Sequence, residues 1–257
     1  MRGYDLVGNI AIVKFPWKTS VREKKKEAEN LLKMNKSVLT VVEKVAKFKG
    51  RLRTQTTKHI AGEKGKEVVY KENGCSFRFN IDACYFSPRL SQERLEVAQM
   101  VKNGENVLVM FGGVAPFAIV IAKQGKAKRV VSVELSRECK RYALENVKRN
   151  KLESKVEVVQ GDVRRVLPKI KEKLDRIVMA RPNLKDSFLD VTFKVVKKGG
   201  TINYYGFCKE DEIAEMKEMI KDEAKRAKRK IKILGVKKAG DIGVRKFRWR
   251  VDLKVLA

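Results

Sequence analysis

From residue 91 to the last strand-like run, apolar stretches of strand length alternate with stretches of helical period. This alternation constrains the fold more than any other feature. SQERLEVAQMVKNG sets Leu95, Ala98 and Val101 on one face of a helix, with Gly104 closing the pattern. VLVMF reads as a buried strand, PFAIVIAKQG as a helix, RVVSVEL as a second strand and SRECKRYALENVKRNKL as a long helix opening at Ser136. VEVVQGDV is a third strand, DRIVMARP a fourth, DSFLDVTFKVVKKGG a helix and TINYYGF a fifth strand. A helix over EDEIAEMKEMIKDEAKRAKRK then leads to KILGVKKAG and KFRWRVDLKVL, a closing antiparallel pair. Strands joined through helices build a doubly wound, mostly parallel sheet, so the expected class is α/β and Rossmann-like.

The texture before residue 91 differs. GNIAIVKF is strand-like, and SVREKKKEAENLLKMN is helical, with Ser20 and Glu23 at capping-box spacing. EVVYKENGCSFRFNID folds back at Asn73-Gly74, a hairpin signal. The division expected is a smaller α+β unit over residues 1–90, positioning the substrate, and a Rossmann-like unit over residues 91–257.

In such sheets a ligand sits beyond the carboxyl ends of the strands. The first end reads Phe111-Gly112-Gly113-Val114-Ala115-Pro116, two glycines before a helix. The second ends in Glu134, roughly 20 residues after Gly112, where an acid bonds ribose hydroxyls. The third carries Asp162, an acceptor for an adenine amino group, and the fourth ends in MARP. GxGxxG and GxxxxGK[ST] are both absent, against a nicotinamide dinucleotide and a Walker-type phosphate cradle. A phosphate-free nucleoside cofactor, S-adenosylmethionine, needs only close backbone approach and the two carboxylates.

Charge narrows the partner. Sixty Lys and Arg against 31 Asp and Glu give a formal net charge of +29. A solvated surface explains many charges but not so large an excess of one sign, which points to a polyanion, with nucleic acid foremost. The four cysteines are scattered without a CxxC pair, as expected of reduced thiols in the cytoplasm rather than a zinc site. No apolar run reaches the ~20 residues of a membrane-spanning helix, and the opening MRGYDLVGNIAIVKF has no secretory h-region.

FSPRLSQER, MFGGVAPF, VSVEL and GDVR, with YDLVGNIAIV, KENGCSFRFNIDACYFSPR and RWRVDLKV, resemble the archaeal and eukaryotic tRNA (guanine-37 N1)-methyltransferases. The resemblance runs from about residue 4 to the end. It implies a class I S-adenosylmethionine-dependent sheet and a tRNA substrate bound at its anticodon stem-loop. A small N-terminal domain that many members carry is not found ahead of YDLVGNIAIV. Guanine N1 carries a proton, so its methylation needs a base beside the electrophile. By resemblance Glu93 is that base, Arg53 holds the guanine, and Arg94 lies near the cofactor carboxylate. The same likeness makes Phe111, Gly112, Gly113 and Val114, Glu134 with Leu135, Asp162 with Val163, and Ala180 the cofactor contacts. A monomer is expected.

Plainer readings stand beside these. Glu93 fits equally a first-turn acid facing the helix dipole, and Arg53 a phosphate contact. His59 has no accompanying Cys or Asp motif. Phe111 reads as pocket wall and Phe117 as core. Tyr204 and Tyr205 suit core packing or stacking on a flipped base. Lys225, Arg226, Lys228, Arg229 and Lys230 read as a solvated or tRNA-facing helix side.

The sequence also departs from the family. Val109 stands where members have an acid, Ala115 where they have glycine, and Ala180-Arg181-Pro182 where they have Asn-Leu-Pro, whose asparagine lies by the methionine moiety and target base. Three functions follow: an active N1-methyltransferase in which Arg181 or Asn183 takes over a polar contact, an aminocarboxypropyltransferase of the wybutosine pathway, and a tRNA-binding relative with weak catalysis.

Overall fold

The computed structural model describes residues 3–46 and 50–257. β1 (Tyr4–Val7), β2 (Ile10–Val13), β3 (Thr40–Lys44) and β4 (Thr57–Gly62) form a four-stranded sheet in that order. Only β2 and β3 are parallel, joined through helix α1 (Val21–Met34). The expected capping box starts that helix: the Glu23 N–H donates to the Ser20 hydroxyl, and the Ser20 N–H donates to the Glu23 carboxylate. Ala28 and Leu31 of α1 close a small core with Ala11, Val13, Val38 and Val41.

β5 (Glu67–Glu72) and β6 (Cys75–Asn80) form the hairpin expected at Asn73-Gly74, whose φ values of 47° and 69° suit a tight two-residue turn. Its Val68, Phe77 and Phe79 share one core with Val7, Ile10 and Val42 of the N-terminal sheet and with α3 (Pro116–Gln124) and α4 (Arg137–Arg149), so the hairpin touches both sides of the division expected at residue 90. Asn146 of α4 accepts from the Arg78 N–H at 2.6 Å and donates to its carbonyl at 3.1 Å. Asn150 treats Ser76 the same way, at 2.9 and 2.7 Å. Two asparagine side chains thus satisfy backbone groups that no neighbouring strand pairs.

The main sheet holds β7 (Asn106–Met110), β8 (Arg129–Glu134), β9 (Val156–Gln160), β10 (Leu174–Met179), β11 (Val196–Cys208), β12 (Ile231–Gly243) and β13 (Lys246–Val255). Their order is β12-β13-β11-β10-β7-β8-β9, parallel from β9 to β11, with β13 inserted antiparallel between β11 and β12. β7 alternates strictly. Val107 and Val109 enter the core under α3 and α4, while Leu108 and Met110 enter the opposite core with α6 (Leu189–Val195) and α7 (Ile213–Arg226). The short α5 (Val163–Val166) follows β9.

Two elements differ from the sequence reading. α6 stops at Val195 and the following VKKGG opens β11, because Val196 pairs with Leu174 of β10. Helix α2 (Ser91–Gln99) buries Glu93, Arg94, Val97 and Ala98, leaving Leu95 only half-buried. Its inward face carries two charges, which an apolar-periodicity argument assigns outward. Among the described residues no helix is long and apolar enough to cross a membrane.

Candidate active site

β8 and β9 lie to one side of β7 and β10 and β11 to the other, so the carboxyl ends of β7 and β10 form the crevice where doubly wound sheets bind ligands. A cavity of about 570 Å³ occupies it, closed on its far side by the N-terminal sheet and the 85–90 segment. All the sequence-predicted site residues border this cavity except Glu93 and Val114.

The loop after β7 is built for close approach. A Cβ on Gly112 would lie 2.1 Å from the Ser132 hydroxyl, which fills that space and has no hydrogen-bond partner among the described residues. A Cβ on Gly113, at φ +57°, would meet the Tyr85 carbonyl at an ordinary contact distance of 3.8 Å. Bare backbone at this position gives a ligand the room a side chain would take. Ala115 adopts φ 66° immediately before Pro116 starts α3. That left-handed conformation costs a residue with a Cβ about 1 kcal/mol, a strain the glycine of the family pattern avoids. Val114 is fully buried, and its carbonyl accepts from Asn146, so it braces the loop from behind.

Glu134, at the end of β8, accepts the Gly113 N–H at 2.7 Å and the Ser136 N–H at 2.6 Å. Burial pushes its carboxyl above the usual range, and these backbone donors only partly offset that. Each oxygen keeps a further lone pair. Asp162 caps α5 through the Arg164 N–H at 2.9 Å and receives Arg51 at 2.6 Å across the cavity mouth. Leu135, Val163 and Ala180 supply apolar wall, and Phe111 packs edge-on against Phe188 with centroids 5.0 Å apart.

The opposite wall is cationic and aromatic. Arg53 lies over the Tyr85 ring at 4.9 Å, and Arg248 donates to the Tyr85 hydroxyl at 3.4 Å. Burial raises the Tyr85 phenol, yet the Arg248 and Arg53 charges outweigh it and hold the group below its ordinary value. Arg51, Tyr85 and Arg248 were not singled out in sequence. The signal was there, since Tyr85 and Arg248 sit inside the quoted stretches CYFSPR and RWRVDLKV.

Glu93 and Arg94 point to different neighbours. Arg94 lines the cavity, but its Nε and one Nη bond both oxygens of Glu72 at 2.5 Å, and it donates to the Ser87 carbonyl at 3.1 Å. Glu93 lies behind the wall, accepting from the Tyr205 hydroxyl at 2.5 Å and from Arg250 at 2.7 Å. Tyr205 does border the cavity, and burial with the Glu93 charge drives its phenol far above the normal value. The His59 ring lies 3.1 Å from the Gly62 carbonyl, on the N-terminal sheet and away from this cavity. Phe117 packs in the core as expected, with one edge at the cavity.

Seven strands in this order, with the last inserted antiparallel and a glycine loop and two carboxylates around the crevice, define a Rossmann-like S-adenosylmethionine-dependent methyltransferase. The chain belongs to the TRM5/TYW2 methyltransferase family, whose methyltransferase domain matches residues 68–234. Trm5b of Pyrococcus abyssi, a tRNA (guanine(37)-N(1))-methyltransferase, is 35% identical over 98% of this chain and 74% of its own length. Its crystal structure superposes with a TM-score of 0.88 at 34% identity, covering 99% of this chain and 75% of that one. Taw22 of Nanoarchaeum equitans, named a tRNA (guanine(37)-N(1))/4-demethylwyosine(37)-methyltransferase, is 32% identical over 98% of this chain and 99% of its own. The AdoMet complex of M. jannaschii TYW2 matches with a TM-score of 0.75 and 25% identity over 98% of this chain and 99% of that one.

Proposed function

We propose that this chain transfers a methyl group from S-adenosylmethionine to N1 of guanine 37 in tRNA, acting as a monomer in the cytoplasm. What carries the reading is the agreement of two things over nearly the whole chain. Relatives named for that reaction match 98% of it, and its own crevice offers a phosphate-free nucleoside site. Methyl transfer is favoured over aminocarboxypropyl transfer because both of those relatives are named methyltransferases.

The residues suit the cofactor. The open face of Gly113 admits an adenosyl group, Glu134 has lone pairs for ribose hydroxyls, and Asp162 can accept from the adenine amine once it shares or releases Arg51. The sulfonium supplies an already activated methyl group, so the protein's work is to orient the base and remove its N1 proton. Glu93 is the acceptor in this reading. Arg250 pairs with it in the interior at 2.7 Å, and Tyr205 connects it by one hydrogen bond to the cavity wall. Arg53 and Tyr85, stacked on each other, offer the guanine a cationic and aromatic flank.

The test is methyl incorporation from labelled cofactor into tRNA transcripts bearing G or A at position 37, wild type beside Glu93→Ala. Label should require the G and fall in the variant by roughly the 10²–10⁴-fold typical of a lost general base. Label on A37 transcripts, or a Glu93→Ala rate equal to wild type, would overturn the substrate or the base respectively.

A further inference from the structure

Among the described residues four arginines are buried: Arg94, Arg176, Arg181 and Arg250. Three hold carboxylates, Arg94 with Glu72 at 2.5 Å, Arg176 with Glu105 at 2.7 Å and Arg250 with Glu93 at 2.7 Å. Arg181 is 6% exposed and forms no ion pair among the described residues. Asp186, the acid nearest to it in the fold of the 182–188 loop, has its carboxylate turned to Arg164 at 2.7 Å and offers Arg181 only a backbone carbonyl at 2.5 Å.

The remaining contacts of Arg181 are neutral. One Nη donates to the Tyr204 hydroxyl and the Tyr205 carbonyl, each at 3.3 Å, and the other also reaches the Leu184 carbonyl. The guanidinium lies over the rings of Tyr204 and Phe207, 5.5 and 5.8 Å from their centroids. Its Nε is buried with no acceptor. Burial pulls its affinity for the proton below the ordinary arginine value, outweighing the opposing Tyr204 and Asp186 charges. A desolvated cation with no anion in hydrogen-bond reach is costly, and a buried N–H without an acceptor adds to that cost. Arg181 also borders the central cavity, directly after Ala180 at the end of β10.

We propose that Arg181 receives an oxyanion that the ligands carry into the cavity, completing the ion pair that the fold leaves open. The inference rests on the methyltransferase reading, which supplies two such groups of the same chemistry. One is the α-carboxylate of the cofactor, for which Arg94, already bound to both oxygens of Glu72, is poorly placed. The other is O6 of the guanine, which gathers negative charge as N1 gives up its proton. A planar guanidinium that borders the cavity and has an unpartnered N–H suits either delocalised oxygen anion. Arg181 therefore does the work of a polar group at the strand end where the family pattern has asparagine.

The experiment compares wild type, Arg181→Gln and Arg181→Lys in two assays. Calorimetry measures affinity for S-adenosylmethionine and for its decarboxylated analogue. Single-turnover methylation of G37 tRNA is followed against pH. A lost charge-assisted contact should read as roughly ten- to a hundredfold. If the partner is the carboxylate, Arg181→Gln loses that factor for the cofactor but not for the analogue. If it is O6, affinity holds while the rate falls by that factor and its pH profile moves upward, because the guanine must then ionise unaided. Arg181→Lys should recover part of the loss in either case. Equal affinity and rate in wild type and Arg181→Gln would overturn the proposal, as would an equal loss for cofactor and analogue together with a lowered melting temperature. A wild type that binds no cofactor and methylates no tRNA would overturn the functional reading as well, so the two failures are separable.

Discussion

Glu134 shows how much a single residue in this site is shaped by what surrounds it. Two backbone N–H groups hold its carboxylate, and burial lifts its proton affinity above the usual range. A raised carboxyl takes up its proton at a higher pH than an exposed one. Cofactor affinity should therefore weaken on acidification at a pH above the ordinary carboxylate midpoint of roughly 4.3. Glu134→Gln should bind less tightly throughout and lose that dependence. Calorimetry between mildly acidic and neutral pH checks both; a wild-type affinity flat over the range would contradict the assignment. Glu134 was legible in sequence because it ends a strand at a fixed distance from a glycine loop. The partners of Glu93 and Arg94 were not. Glu72 lies in the β5–β6 hairpin and Arg250 in the last strand, and no periodicity links them to α2.

At the scale of elements, the alternation of strands and helices was readable, including the Asn73-Gly74 turn and the Ser20 and Ser136 caps. What escaped was how the hairpin's outer edge is satisfied. That falls to Asn146 in α4 and Asn150 at its C-cap, whose sequence gives no hint that their amides replace a strand edge. Asn146 is fully buried and serves the Arg78 backbone and the Val114 carbonyl together. Asn146→Ala leaves those groups unpaired, at about 1–3 kcal/mol each where water cannot reach them. The melting temperature should drop several degrees, at roughly 2–4 °C per kcal/mol for a chain this long. Because Val114 adjoins the Gly112-Gly113 turn proposed to admit the cofactor, affinity for S-adenosylmethionine should fall too. A thermal melt of Asn146→Ala superposing on wild type would show that the hairpin is held by its apolar residues alone.

Over the whole molecule the net charge of +29 was plain from composition, and the structure shows part of where it is displayed. Lys44, Arg51, Arg53, Arg89 and Arg248 border the cavity, together with the carboxylates Glu134 and Asp162. The two ligands should consequently answer differently to salt. If six to ten phosphates are neutralised, tRNA affinity falls about 10³–10⁵-fold between 50 and 200 mM salt, while binding of the free cofactor barely moves. Filter binding across that range gives the slope, and a slope near zero would remove the phosphate backbone as the source of affinity.

The placement of β13 bears on how the enzyme comes into being. It follows β12 in chain order, yet it lies inside the sheet between β11 and β12, and it carries both Arg248 and Arg250. A ribosome delivers it after α2 and all the parallel strands. Until it docks, Glu93 has no cation beside it, and a carboxylate cannot settle into the interior uncompensated. Glu93 and the strand that supplies its cation therefore settle together, so a nascent chain can hold its parallel strands while the interior around α2 is still unfinished.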